Sequence, residues 1–275
     1  MLKQRVITAV VLLAILLPAL FYPQPEPFCA VTLVLICAGG WEWAKLNGYS
    51  FTFGIGTGLV LAAVLAWLWL ELGFGQAWAP LWQTSYLVWL LLAVFLLKRG
   101  VGGWAPIPKV LRLTVGLVLI GLAWWALASA LHAGVGMLLS ILTLVWMADI
   151  AAYFGGKALG RRKLAVTISP GKSWEGAFSG FAGVLLLAAC WLWATGPEAG
   201  NNLYSKLWLQ GPVLGLLGLV GLSVMSVVGD LLESLVKRSA GVKDSSQLLP
   251  GHGGVLDRVD ALLPVLPMAM MWVTL

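Results

Sequence analysis

Charge is what this chain of 275 residues has least of. Only 10% of its residues are charged and two are histidine, against 60% that are hydrophobic. Soluble domains run nearer about 25% charged and roughly 45–50% apolar. The shortage excludes a soluble enzyme, a disordered chain and a free nucleic-acid-binding domain. The net charge of +6 is therefore no sign of nucleic acid. Cysteine is also scarce. Cys29, Cys37 and Cys190 lie in apolar runs without a CxxC pair and read as inert packing residues that say little about redox compartment. The first apolar run follows Lys3 and Arg5, as in a signal peptide, but no small-residue cleavage site follows it. A retained first helix is expected, and the composition of a transit peptide is missing. No internal repeat is present, which weighs against a transporter built from inverted repeats.

Long apolar runs are abundant, and mean hydropathy is +0.94. Nine runs reach spanning length, at residues 6–22, 27–44, 51–72, 77–97, 111–131, 134–154, 174–195, 207–230 and 259–275. Barrel strands would alternate and be about half as long. The expected fold is all-α, a polytopic integral membrane protein of about nine transmembrane helices. Residues 1–140 supply about five N-terminal spans, and residues 141–275 form the region expected to carry the chemistry. Many of the 16 tryptophans stand near run ends, as at Trp41, Trp43, Trp78, Trp82 and Trp174, where interfacial belts place them.

Assigning the flanks of the nine runs alternately to two sides puts every Lys and Arg except Lys206 on one side. The excess predicts a cytoplasmic N-terminus and a C-terminus on the opposite side. Lys98, Arg99, Lys109 and Arg112 are read as orientation and headgroup charges. His132 is interfacial on the far side, and Glu42 is expected to contact Lys45 or a neighbouring helix. Two longer segments, 155–173 and 231–258, are cytoplasmic in this arrangement and hold more than half of the basic residues.

The segment from Asp230 begins as a helix leaving the membrane. At about 100° per residue, Asp230, Ser234 and Lys237 fall within roughly 40–60° of one another. One face then offers a carboxylate, a hydroxyl and an ammonium, with Glu233 beside them. The bland alternative is a solvated helix end with an incidental ion pair. Pro250-Gly251 marks a turn, and His252-Gly253-Gly254 allows close backbone approach and an anion-binding nest of N–H groups. Asp257-Arg258-Val259-Asp260 follows at the mouth of the last run, where charge is costly and usually functional. Two carboxylates at one membrane edge are the usual protein share of a Mg²⁺ site that also uses substrate phosphate.

Upstream, Asp149 is an ionisable residue within an apolar run and faces either a polar cavity or a partner such as Lys157. Gly155-Gly156 is expected to end that helix. Lys157, Arg161, Arg162, Lys163 and Lys172 then follow with no acid before Glu175. Ser169 or Ser173 is placed to cap the next helix, whose N-terminus favours anions. Gly171-Lys172-Ser173 is not a phosphate loop of the Walker type, because Val166 stands where that motif needs glycine.

The run Ser234-x2-Lys237-Arg238-x4-Lys243-Asp244-x5-Pro250-x-His252-Gly253-Gly254-x2-Asp257-Arg258-x-Asp260 resembles the signature of the phosphatidate cytidylyltransferases, or CDP-diacylglycerol synthases. Asp149 to Lys157 and Ile168 to Gly176 are similar to the family's upstream blocks, with Gly171 where Lys or Asn is often seen. The resemblance covers about residues 145–260. The different Asp-rich signature of the CDP-alcohol phosphotransferases is missing.

The resemblance implies transfer of the cytidylyl group of CTP to phosphatidate, giving CDP-diacylglycerol and pyrophosphate; the missing transit-peptide composition points to a bacterial cytoplasmic membrane. The resemblance also implies Mg²⁺ on Asp230 and Asp257, with Asp260 as a further ligand, and catalytic roles for Asp230, Ser234, Lys237, Arg238 and Asp257. Lys157, Ser169, Lys172, Ser173, Lys243, His252 and Arg258 are then substrate-binding residues, with His252 a hydrogen-bond donor. The partners are CTP, phosphatidate and the lipid bilayer, with no nucleic acid; a homodimer is allowed. An anion transporter is disfavoured by sparse mid-membrane charge. A non-catalytic scaffold leaves the cluster at 230–260 without a reason.

Overall fold

The computed structural model describes residues 2–74 and 79–275; Trp78 lies outside the described residues. Within a bilayer every backbone N–H and C=O must be satisfied inside the protein, so the apolar runs close on themselves as helices. They are α1 (Leu2–Leu20), α2 (Glu26–Leu46), α3 (Phe51–Leu72), α4 (Ala79–Arg99), α5 (Lys109–His132), α6 (Val135–Leu159), α7 (Trp174–Thr195), α8 (Leu203–Leu209), α9 (Pro212–Ser239), α10 (Leu256–Val259) and α11 (Leu262–Val273). A small antiparallel hairpin, β1 (Lys163–Ala165) and β2 (Ser169–Ser173), pairs Lys163 with Ser173 and Ala165 with Ser169.

Among the described residues eight helices, α1 to α7 and α9, are long and apolar enough to cross a membrane. The expected ninth run, 259–275, is instead the end of α10 and the 12-residue α11. Asp260 and Ala261 between them keep helical backbone angles, so 256–273 rises about 27 Å at about 1.5 Å per residue, close to a hydrocarbon core of about 30 Å. α11 is buried from Leu262 to Met270 and packs against α4, α5 and α9. Its end meets the start of α9, where Gln210 Nε2 donates to the Trp272 carbonyl at 2.5 Å. The chain thus finishes at the end of the bundle away from the loop 240–255.

Contacts across that loop show which helix ends it meets. Arg5 Nε donates to the Gly251 carbonyl at 3.0 Å and Thr8 Oγ1 to the Pro250 carbonyl at 2.9 Å, so the start of α1 lies on it. Several of the tryptophans expected at run ends are covered by protein. Trp82 is 1% exposed, and Trp43 is half-buried with its Nε1 donating to the carbonyls of Arg112 and Leu113. Only Trp174 of the expected set is widely exposed among the described residues.

Close helix packing in lipid relies on small residues, and α6 against α7 shows this. A methyl group on Gly180 would sit 2.8 Å from the Ala148 carbonyl oxygen, and one on Gly176 would sit 2.8 Å from that of Ala152. Gly155 and Gly156 do not end α6 as expected; the helix runs on to Leu159, and Gly155 instead faces Ser179. Gly180→Val is expected to force the helices apart at the turn carrying Asp149, at a cost of about 1–3 kcal/mol. A lower melting temperature in detergent checks it.

Candidate active site

α6, the hairpin, α7 and α9 enclose a polar cavity of about 540 Å³. Asp149 and Lys157 of α6, Ser169, Lys172 and Ser173 of β2, and Asp230 of α9 are among its walls. The hairpin carries Lys172 over α9, where its Nζ lies 2.7 Å from Asp230 Oδ2. Asp230 Oδ1 accepts from Ser234 Oγ, one turn on, at 3.2 Å. Ser173 is the N-cap of α7, its Oγ accepting from Gly176 N at 3.2 Å. Glu175 holds the start of the hairpin by accepting from the backbone N–H groups of Arg161 and Arg162, at 3.0 and 3.1 Å. Asp149 and Lys157 take part in no ion pair among the described residues, so each presents its charge to the cavity. Two carboxylates, two ammonium groups and a helix N-terminus thus face one space. Such a set binds phosphates and a hard cation together.

The C-terminal loop is organised by two carboxylates. Asp257 Oδ1 lies 2.6 Å from Lys237 Nζ. Asp257 Oδ2 accepts from Gly254 N at 2.7 Å and from both Ser245 N and Ser245 Oγ at 2.9 Å. Lys237 in turn lies 2.5 Å from Glu233 Oε2, so one ammonium bridges two carboxylates. The second organiser is Glu42, fully buried near the end of α2. It accepts from Ser246 Oγ at 2.5 Å, Val255 N at 3.0 Å and Leu256 N at 2.8 Å, and Ser245 Oγ lies 3.3 Å away. The nest expected around Gly253-Gly254 does bind anions, but they are the protein's own. Only glycine fits at 254, where a methyl group would lie within 2.3 Å of Glu42 Oε1.

Burial opposes the charge on Asp257, but the Lys237 ammonium and the N–H groups of Gly254 and Ser245 outweigh it. Its carboxyl is held below the usual aspartate range. A depressed value in the folded protein means the knot contributes stability above about pH 4 and loses it only as pH falls through the lowered value.

The structure separates the expected site residues into groups. Asp230, Lys157, Ser169, Lys172 and Ser173 share the polar cavity, and Ser234 is hydrogen-bonded to one of them. Lys237 and Asp257 form the buried knot. Arg238 is exposed and ties the following turn to α9 by donating to the Val242 carbonyl at 3.2 Å. Lys243 is exposed on a second cavity, with Lys45 and Asp244. Arg258 is exposed, and His252 is half-buried with Nδ1 unpartnered. Asp260 Oδ1 accepts from Ala261 N at 2.8 Å, beside Gly229 of α9. Glu42 contacts the signature loop rather than Lys45. Its signal in the sequence was the one that marked Asp149, an ionisable residue inside an apolar run.

Among the described residues no three His, Cys, Asp or Glu side chains converge to enclose a metal ion. Asp149 and Asp230 nevertheless suit Mg²⁺, which needs only one or two carboxylates, keeping waters and taking substrate phosphate for the rest. Asp257, like Asp230, has both oxygens engaged by the protein's own donors, and either could exchange an ammonium for the ion.

A model described as the cytidylyltransferase family matches residues 3–275. A phosphatidate cytidylyltransferase of Pseudomonas aeruginosa is 41% identical, over 99% of this chain and 97% of that protein. One from Haemophilus influenzae is 37% identical, over 97% and 96%. One from Brucella suis is 48% identical over 128 residues, 45% of this chain and 41% of its own.

Proposed function

The chain belongs to the cytidylyltransferase family, and we propose that it transfers the cytidylyl group of CTP to phosphatidate, releasing pyrophosphate and leaving CDP-diacylglycerol in the bilayer. The observation that carries the reading is the meeting of Lys172 and Asp230 in a polar cavity walled by helices of spanning length.

The phosphate of phosphatidate is already an anion at pH 7, so its attack on the α-phosphorus of CTP needs no strong general base. The obstacle is bringing two anions together. Lys157, Lys172 and the N-terminus of α7 neutralise and orient the phosphates. Asp230 and Asp149 would hold Mg²⁺, with Asp257 and Asp260, the latter close enough to feel the charge of Asp230, as further ligands. Bound there, the ion would supply charge neutralisation at the triphosphate. Ser234 fixes the Asp230 carboxylate through its hydrogen bond. Asp257 and Lys237 hold the signature loop. All these residues come from one chain, so the reading does not require a homodimer. The end of the bundle with the basic loops would face the cytoplasm of a bacterial cell, giving CTP access from water and phosphatidate access from the inner leaflet.

The test uses purified protein in detergent micelles with phosphatidate, Mg²⁺ and CTP radiolabelled in the cytidine. Label is expected in the lipid phase and pyrophosphate in the aqueous phase, both lost on chelation and restored by added Mg²⁺. Transfer from CTP to another phosphorylated lipid, with none to phosphatidate, would overturn the substrate. Undiminished transfer after chelation would overturn the metal.

A further inference from the structure

An apolar cavity of about 290 Å³, distinct from the two above, lies on the other side of α9 from the polar one. Val227 and Asp230 face the polar cavity, whereas Gly229, Leu232, Glu233 and Val236 face this one. At about 100° per residue these are opposite faces of one helix. The walls come from α2, α4, α5, α9 and the start of α11 and are apolar except at Arg112 and Glu233. For scale, an apolar cavity of about 150 Å³ holds benzene. α4 and α5 each pack on α11, and between them Phe95 and Leu111, both exposed, form the cavity's rim. The space therefore opens sideways, toward lipid.

Its polar groups are unmatched. Arg112 Nε, Trp104 Nε1 and Trp89 Nε1 are buried donors without an acceptor. The Arg112 guanidinium lies 5.6 Å from the centre of the Trp104 ring, in the first turn of α5. Glu233, with its side chain only 4% exposed, has Oε2 on Lys237 and Oε1 unpartnered. Buried donors left unmatched are costly, and three on one apolar cavity call for a ligand that is apolar over most of its length and brings acceptor oxygens to these groups.

We propose that this cavity is a site for a resident glycerophospholipid of the phosphodiester class, with an acyl chain in the slot between α4 and α5 and its phosphate and ester oxygens on Arg112 and Trp104. The headgroup carries one negative charge at its phosphate. Arg112 is the one cation on the cavity wall and Glu233 the one carboxylate, so a single negative charge is matched and the second charge of phosphatidate's phosphomonoester is not. The site is thus separate from the one where the substrate reacts, and the proposal stands or falls independently of the reaction assigned above.

The test is photo-crosslinking of the full chain in nanodiscs with phosphatidylethanolamine, phosphatidylglycerol or phosphatidate bearing a diazirine on an acyl chain, mapped by peptide mass spectrometry. Either phosphodiester lipid is expected to label the interior wall at Trp89, Leu92, Leu119 and Ile120. Phosphatidate is expected to label it at least about 10-fold less. Arg112→Gln should reduce phosphodiester labelling by about 10-fold, the worth of one charge-assisted hydrogen bond. Labels confined to outward residues such as Leu91 and Val118 would overturn the proposal. So would labelling of the interior by phosphatidate as strong as by the other two lipids. The wild-type map decides the question even if Arg112→Gln folds poorly.

Discussion

Replacing Asp230 by Asn is expected to lower turnover on the order of 10³-fold while leaving the melting temperature nearly unchanged. Asn keeps the shape of Asp and can still accept from Ser234 Oγ, now 3.2 Å from Asp230 Oδ1. What it removes is the negative charge opposite Lys172 Nζ at 2.7 Å. The pair is partly solvated, with Lys172 24% and Asp230 30% exposed at the side chain, so little stability depends on it. Chemistry is different, because charge that neutralises phosphates during transfer acts at full strength only when pre-placed. Losing one such element costs about 10²–10³-fold, and more where several act together. Two readouts separate the proposed metal role from a purely positional one. If Asp230 holds Mg²⁺, the variant needs a higher Mg²⁺ concentration for half-maximal rate. If it only orients Lys172, Lys172→Gln reproduces the loss with no change in Mg²⁺ dependence. Asp230→Asn retaining a tenth or more of wild-type activity at matched expression would remove Asp230 from the site.

The polar cavity was legible in the sequence because its residues are anomalies there. Asp149 interrupts an apolar run, five cations follow without an acid, and Asp230 stands where a helix leaves the membrane. The eight spanning helices were legible for the same reason, since length and hydropathy are local properties. The last run is the one whose boundaries composition did not give: it is divided into α10 and α11 and is covered by α4, α5 and α9 rather than lipid. The roles within the C-terminal signature were not readable either. The sequence shows that Lys237, His252, Gly253, Gly254 and Asp257 are close in number, but not what their donors face. The structure shows Lys237 between two carboxylates and the Gly254 N–H on Asp257, so these residues also hold the loop together. Pairing between residues more than 200 positions apart leaves no local pattern, and Glu42 is the case with the largest consequence.

Glu42→Ala is expected to destabilise the protein by on the order of 3–5 kcal/mol, the range for removing one partner of a buried charged network, and to abolish activity. The deletion strands the N–H groups of Val255 and Leu256 and the hydroxyl of Ser246 in a dry interior. Each unmatched donor costs about 1–3 kcal/mol, against a total stability of about 5–15 kcal/mol for an ordinary domain. A loss of that size confounds folding with function, so Glu42→Gln is the sharper probe. The amide keeps one acceptor oxygen but turns the other position into a donor, facing an N–H that is already a donor. The loop 240–255 should then loosen while the helices persist. The expected result is unchanged helix content by circular dichroism, faster proteolysis within 240–255, and a fall in activity of about 10–100-fold. That range corresponds to about 1.4–2.7 kcal/mol, the worth of one or two hydrogen bonds to a charged group. Full activity with wild-type protease resistance would show that the loop holds itself. The expected loss carries a further point about organisation. Glu42 on α2 and Arg5 on α1 lie outside the 145–260 stretch that resembles the family signature, yet both hold its loop. A boundary near residue 140 therefore divides the sequence by recognisable motif, while the signature loop is held from across it.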